Sequence, residues 1–155
     1  MKIRLISIGN KMPDWVTLAY HNYQKRLTGS IQLDLFEVPL GKRGKNADIK
    51  RLMDKESQQM LNAIPARYRV VCLDVSGKSL STENLASKLE NYERQGNNIA
   101  LLIGGPEGLS ANCLAKADER WSLSAMTLPH PMVRVILAEQ IYRAWSLNNG
   151  HPYHR

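Results

Sequence analysis

Four side chains that can exchange protons or bind anions are concentrated in the last five residues of the chain, His151, Tyr153, His154 and Arg155. Histidine titrates near neutral pH, and arginine grips phosphate with two parallel hydrogen bonds. Two histidines with no carboxylate or cysteine close by in sequence supply at most two metal ligands, so a metal site is a poor fit. This tail favours the handling of an RNA nucleotide; the alternative is a solvated terminus.

A glycine-rich loop follows an unbroken apolar run at residues 99–103 and reads GGPEG over residues 104–108. Gly104 and Gly105 lack a Cβ, so backbone there can approach a ligand closely. The spacing is neither the dinucleotide fingerprint nor a phosphate-binding P-loop, and neither of those nucleotide sites is predicted. The alternative is a tight connection between a strand and a helix.

A third segment, residues 123–131 (LSAMTLPHP), ends a strand and cannot continue it because of Pro129 and Pro131. Its backbone N–H and C=O groups are therefore free to face a ligand. An adenine ring could be read by such groups and flanked by Leu123 and Leu128. The alternative is a proline-locked corner that leads into the last helix.

The formal net charge is +7, from 21 basic and 14 acidic side chains, and such a surplus favours nucleic acid as a partner. Lys42, Arg43 and Lys45 set three cations around two glycines in one loop. A flexible basic loop suits phosphate contact, although runs of this kind are usually solvated surface. His21 is expected to be structural, and His130 between two prolines is left open.

The elements that position these residues alternate between strand and helix along 155 residues, which is the length of one domain, 1–155. Strands are predicted at 3–8, 31–38, 68–73, 99–103 and 121–126, with residues 76–78 breaking the third. Asn46 and Thr82 are predicted to cap helices. This order predicts an α/β domain with a largely parallel sheet. Ligands of such sheets lie beyond the carboxyl ends of the strands, from Leu73, Gly104 and Leu123 onward.

The last predicted helix, residues 131–148, is apolar on nearly its whole circumference, so it must be covered on all sides. The cover is either the core of the domain itself or a second copy of the chain. Cys72 and Cys113 lie far apart and match no zinc spacing, which suits a reduced cytoplasmic setting. No signal peptide or membrane-spanning stretch is predicted.

Taken together and in this order, three segments resemble the RlmH family of SPOUT methyltransferases: IGGPEG at 103–108, LSAMTLPHP at 123–131 and HPYHR at 151–155. KMPDW at 11–15 and GKRGKNADIKR at 41–51 match as well, so the resemblance covers the full length. It implies a SPOUT fold, that is, a largely parallel sheet of five to six strands with helices on both faces and a C-terminal trefoil knot.

The resemblance also implies a function. Members methylate N3 of a pseudouridine in the large-subunit rRNA of assembled ribosomes, with S-adenosylmethionine as methyl donor and without a metal. They act as homodimers, with the donor site near the interface. The donor-binding residues implied here are Leu73, Gly104, Gly105, Leu123, Ser124, Ala125, Met126, Thr127 and Leu128.

For catalysis we expect His154, with Tyr153, to handle the N3 proton or the developing imide charge. Arg155 and the basic loop of Lys42, Arg43 and Lys45 are expected to contact RNA. Two rival functions make different predictions. An RNA-binding module without catalysis would have no affinity for S-adenosylmethionine, and a flavodoxin-like or nucleotide-binding protein would carry a flavin or nucleotide after purification.

Overall fold

In the computed structural model, which describes all of residues 1–155, five strands form one sheet in which every pairing is parallel. The strands are β1 (Lys2–Ile8), β2 (Gln32–Val38), β3 (Tyr68–Ser79), β4 (Asn98–Ile103) and β5 (Glu119–Ser122). Their order across the sheet is β2-β1-β4-β3-β5. All carboxyl ends therefore meet at one edge, as the sequence predicts.

Five α-helices cover the two faces of this sheet. They are α1 (Asp14–Gln24), α2 (Ile49–Asn62), α3 (Thr82–Arg94), α4 (Ala111–Lys116) and α5 (His130–Asn148), and a 3₁₀ turn (Pro152–His154) follows. Helix α5 packs against α1 and α3 on one face, and α2 packs against α4 on the other. No helix is long and apolar enough to cross a membrane.

Strand β4 is apolar from Ile99 to Ile103 because this part is buried on both faces. Ile99, Leu101 and Ile103 point into the core beneath α1, α3 and α5, whereas Ala100 and Leu102 point into the core beneath α2 and α4. An unbroken apolar run is what a strand covered on both sides requires. The run at residues 99–103 therefore marks the centre of the fold, and the glycine loop leaves from its end.

Two predicted helix caps are wrong by one or two residues. Helix α2 is capped by Asp48, whose carboxylate accepts the Arg51 N–H at 3.1 Å, and not by Asn46. A turn closed by the Ala47 N–H and the Gly44 carbonyl delays the helix start past Asn46. Ser81 caps α3 in place of Thr82, whose hydroxyl donates instead to the Gln140 side chain of α5.

The predicted break in β3 is also wrong, because the strand continues to Ser79 through a register shift opposite Trp121. Gly77 makes this possible, since a Cβ there would lie 2.7–2.8 Å from the backbone of Arg120 and Trp121. Strand β5 begins and ends earlier than predicted. The Ser122 hydroxyl donates to the Ser124 carbonyl, which turns residues 123–128 away from the sheet.

Because Leu101 is buried in the central strand, Leu101→Ala should remove packing that nothing nearby can replace. We expect a loss of about 2–5 kcal/mol in the free energy of unfolding. Urea denaturation at matched protein concentration measures this loss. Glu90→Ala, at an exposed position of α3, is the control and should change stability by less than about 0.5 kcal/mol. Equal stabilities in the two variants would contradict the central role of β4.

Candidate functional site

A cavity of about 290 Å³ opens at the carboxyl ends of β4 and β5, beside residues 73–75 of β3, where that strand enters its register shift. All the predicted donor-binding residues except Ala125 line it, namely Leu73, Gly104, Gly105, Leu123, Ser124, Met126, Thr127 and Leu128. Ala125 lies exposed within the same segment. Parallel strands bring these residues together, although they are spread over more than fifty positions of the chain.

The wall formed by residues 104–108 is a tight turn that folds back on itself. The Gly108 N–H donates to the Gly105 carbonyl at 3.0 Å, and Gly108 has a φ of 79°. A Cβ on Gly104 would lie 2.5 Å from the Gly108 carbonyl carbon, so only glycine fits there. The backbone at this wall is therefore both bare of side chains and fixed in shape.

The opposite wall, residues 123–128, offers unused backbone groups. No backbone–backbone hydrogen bond involves these residues, and the Met126 N–H donates to the Ser124 hydroxyl at 3.0 Å. Buried or half-buried N–H and C=O groups need partners. The segment can thus supply several hydrogen bonds to a bound molecule, with Leu123 and Leu128 adding apolar surface.

His130, at the start of α5, also lines the cavity, and it lies beside a buried arginine that the sequence analysis missed. Arg134 donates to Glu37 at 2.8 Å, to the Ser7 hydroxyl at 3.1 Å and to the Gly9 carbonyl at 3.0 Å. Burial, and then the charge of Arg134, lowers the pKa of His130, so its imidazole is neutral at pH 7. An arginine within the most apolar part of the last helix is the signal that points to Arg134.

The C-terminal tail folds back onto α5 and is not a solvated terminus. The buried Ser146 hydroxyl accepts the His154 N–H at 3.1 Å, donates to the His151 carbonyl at 2.9 Å and lies 3.1 Å from His154 Nδ1. The Tyr153 hydroxyl donates to Glu139 Oε1 at 3.1 Å. His154 and Tyr153 are half-buried, and Arg155 is exposed.

Tyr153 is held in a cluster of aromatic rings and arginines. Its ring centroid lies 4.6 Å from that of Tyr142, and the guanidinium of Arg143 lies 5.1 Å from its ring. Burial, the neighbouring Tyr23 side chain and the charge of Glu139 raise the pKa of Tyr153. Tyr153 is therefore a neutral phenol that can donate a hydrogen bond, and it does not act as a base at neutral pH.

The tail and the cavity lie at different ends of α5. Val133 lines the cavity, whereas Ser146, thirteen residues later, holds His154. At 1.5 Å per residue the two positions are separated by about 20 Å along the helix axis. The structure thus brings the predicted donor-binding residues together but leaves the tail of the same chain remote from them.

Comparison with known proteins identifies the family. The profile of the family described as "Predicted SPOUT methyltransferase" matches residues 1–154. The chain belongs to the SPOUT methyltransferase family. A protein of Marinomonas sp. (strain MWYL1) named "Ribosomal RNA large subunit methyltransferase H" is 56% identical over 155 residues, 100% of both chains. The expected resemblance to the RlmH family is confirmed, and neither rival function is favoured.

A solved structure agrees with this fold. "The structure of a probable methylase family protein from Haemophilus influenzae Rd KW20" superposes with a TM-score of 0.56 at 14% identity. The superposition covers 99% of this chain and 70% of that one. At this level of identity the likeness concerns the fold alone, and it supports the α/β architecture of the SPOUT methyltransferase.

In this SPOUT methyltransferase the cations of the predicted basic loop differ in their exposure and in their contacts. Lys42 and Lys45 are exposed. Arg43 instead forms two hydrogen bonds with Glu56, at 2.6 and 2.7 Å, and an ion pair with Glu107 at 2.7 Å. The prediction that Arg43 binds phosphate is not supported by this geometry, because both edges of its guanidinium are occupied by carboxylates.

Glu56 is buried, yet its pKa is lowered. Burial alone would raise the pKa, but hydrogen bonds from Arg43 and from the Gly41 N–H, with the charge of Arg43, outweigh it. No group of three or more histidine, cysteine, aspartate or glutamate side chains could hold a metal ion.

The Glu56 carboxylate makes the acid stability of this methyltransferase testable. Its lowered pKa means that it stabilises the fold above pH 4.5 and that this contribution is lost as the pH falls through the lowered value. Glu56→Gln should cost roughly 1–3 kcal/mol at pH 7 by leaving Arg43 with Glu107 as its one carboxylate partner. Its stability should then fall less steeply below pH 4.5 than that of the natural protein.

Chemical denaturation at a series of acidic pH values measures how steeply the free energy of unfolding falls with pH in the natural protein and in Glu56→Gln. Glu90→Gln, at an exposed carboxylate without an ion pair, should keep the natural slope. A Glu56→Gln slope equal to that of the natural protein would contradict the role assigned to Glu56.

Proposed function

We propose that this SPOUT methyltransferase transfers a methyl group from S-adenosylmethionine to N3 of a pseudouridine in the large-subunit rRNA of assembled ribosomes. The observation that carries the rRNA activity is the 56% identity, over both full chains, to a protein named "Ribosomal RNA large subunit methyltransferase H". The cavity at the strand ends supplies a binding site of matching position and size.

The residues around the cavity fit the methyl donor. Its volume of about 290 Å³ is near the lower end of small-molecule sites, which suits a compact, bent molecule. Unused backbone groups of residues 123–128 can read the adenine edge between Leu123 and Leu128. Gly104, where a Cβ would clash, allows close approach of the rest of the molecule to the backbone. When bound, S-adenosylmethionine supplies a methyl group already activated by its sulfonium.

The task left to the protein is to align the RNA nucleotide and to handle its proton. Alignment of two reactants can supply roughly 7–11 kcal/mol of the barrier. N3 of pseudouridine carries a proton that must leave before the nitrogen becomes a good nucleophile. A well-placed general base typically contributes about 10²–10⁴-fold. We assign this role to His154, with the neutral phenol of Tyr153 as a hydrogen-bond donor to the developing charge.

The surroundings of Ser146 support this role through the tautomer of His154. The Ser146 hydroxyl has one proton, which it donates to the His151 carbonyl at 2.9 Å. Toward His154 Nδ1, 3.1 Å away, it can then only accept, so Nδ1 carries the proton. Nε2 of the neutral ring is left bare, which is the state that a base requires.

The separation of about 20 Å between tail and cavity favours a site built from two chains. We infer a homodimer in which the tail of one subunit reaches the cavity of its partner. Exposed apolar side chains supply the contact surface: Trp15 and Leu18 on α1 are 54% and 70% exposed. Val135 and Ile136 on α5 are only half-buried within one chain, which leaves them for a partner to cover.

Docking onto the ribosome relies on the basic surface. Lys42, Lys45 and Arg155 are exposed, and the net charge of +7 favours phosphate as a partner. The proposal that assembled ribosomes are the substrate implies that the chain acts in the cytoplasm.

The direct test uses ribosomes from cells that lack this protein. With isotope-labelled S-adenosylmethionine we expect one methyl group per large subunit, at N3 of a pseudouridine, detected by mass mapping of the rRNA. Free rRNA should be a poorer substrate. Failure to bind S-adenosylmethionine at millimolar concentration, or a label elsewhere in the ribosome, would overturn the proposal.

Two variants separate donor binding from catalysis. His154→Ala should bind S-adenosylmethionine normally but slow single-turnover methyl transfer by about 10²–10⁴-fold. Gly104→Ala should lose donor affinity through the clash with Gly108, as calorimetry would show. Gly44→Ala, where a Cβ meets nothing within 4 Å, is the matched control.

Mixing the two inactive variants tests the shared site. If subunits exchange at random, half of the dimers carry one intact cavity together with one intact tail from the other chain. Activity should return to about one quarter of the natural level. A mixture as inactive as its parts would show that each chain uses its own tail.

A further inference from the structure

Glu107 is the one charged side chain of the glycine loop, and it points away from the cavity. Gly104, Gly105, Pro106 and Gly108 line the cavity, but Glu107 does not. Its carboxylate instead accepts hydrogen bonds from Arg43 Nη2 at 2.7 Å and from Arg43 Nε at 3.5 Å. The outer side of the loop is thus tied to a residue of the basic loop, 64 positions earlier in the chain.

Arg43 is itself fixed from its other side. Its two terminal nitrogens donate to the Glu56 carboxylate at 2.6 and 2.7 Å, and the side chain of Glu56 is only 4% exposed. Glu56 is held further by the Gly41 N–H at 2.7 Å. A planar guanidinium with carboxylates at both edges has little freedom to move. Arg43 therefore joins helix α2 to a loop that consists largely of glycine.

We propose that Arg43 and Glu107 are positioning residues, which hold the backbone at Gly104 and Gly105 in the shape that receives the methyl donor. The inference rests on the proposed function, because it takes the cavity to be the donor site. Three glycines in five residues provide no side-chain contacts, so besides its own turn hydrogen bond this loop depends on the contact of Glu107 with Arg43 for its shape. Fixing such a loop before binding removes an ordering cost that would otherwise reduce affinity.

The same geometry places the two lysines that we propose to contact RNA next to the ion pair of Arg43 and Glu107. Lys42 and Lys45 flank Arg43 within one short loop and are exposed. Arg43 therefore belongs to the basic loop by sequence and contacts the glycine loop through Glu107.

Glu107→Gln is the cleanest test, because Glu107 has a side-chain exposure of 29% and its loss leaves Arg43 paired with Glu56. We expect the dissociation constant for S-adenosylhomocysteine, measured by calorimetry, and the KM for S-adenosylmethionine to rise roughly tenfold. The kcat at saturating donor should stay within about threefold of the natural value. Glu90→Gln, an exposed glutamate of α3, is the matched control and should change neither constant.

A second variant, Arg43→Lys, keeps the charge but cannot bridge two carboxylates. It should weaken donor binding to a similar extent. The double variant should bind the donor no more weakly than the single variant with the lower affinity. Both substitutions break the same contact between Arg43 and Glu107, so their effects should not add. Additive losses in the double variant would show that the two residues act separately and would overturn the inference.

The outcomes distinguish this inference from the proposed function. Should the natural protein bind S-adenosylhomocysteine while Glu107→Gln binds it equally well, the positioning role is wrong and the proposed function stands. Should the natural protein fail to bind it, the donor site itself is wrong and both fall. If the variants instead lower kcat and thermal stability and leave KM unchanged, the pair only stabilises the fold, and the inference is overturned.

Discussion

The arrangement of this protein depends on the burial of one parallel strand. Strand β4 lies at the centre of the sheet, between β1 and β3, and apolar side chains cover both of its faces. Because all the strands run in the same direction, each one delivers its following loop to the same edge. The backbone there is held by the sheet beneath it, so the cavity can be built from glycines and uncommitted peptide groups.

Two arginines that each contact several acceptors support the backbone around the cavity from outside. Arg134 joins the ends of β1 and β2 to the start of α5 through Ser7, Gly9 and Glu37. Arg43 ties the glycine loop to α2 through Glu107 and Glu56. Each arginine satisfies several acceptors at once, which is the condition under which a buried charge is tolerated. The contacts of Arg134 involve helix α5 on one face of the sheet, and those of Arg43 involve helix α2 on the other face.

The sequence predicts the sheet and the cavity well because both follow from local patterns. The apolar run at 99–103 and the glycines after it need no knowledge of distant residues. Helices α2 and α3 are capped by Asp48 and Ser81 and not by the predicted residues. Several neighbouring polar residues could act as the N-cap, and the backbone turn before each helix determines which one does. The roles of Arg43 and Arg134 depend on partners 13 to 127 positions away, which spacing alone does not reveal. For the same reason a cation that looks solvated in sequence, such as Arg43, is a structural one in the fold.

The distance along α5 between the cavity and the tail has a consequence for the cell. In the proposed dimer neither chain holds a complete set of reacting groups, so a newly made chain is inert until it finds its copy. At low expression the amount of working enzyme then rises with the square of the protein made, and at high expression in direct proportion. If the proposed dimer holds, unpaired chains transfer no methyl group, so methylation falls more steeply than the protein concentration at low expression.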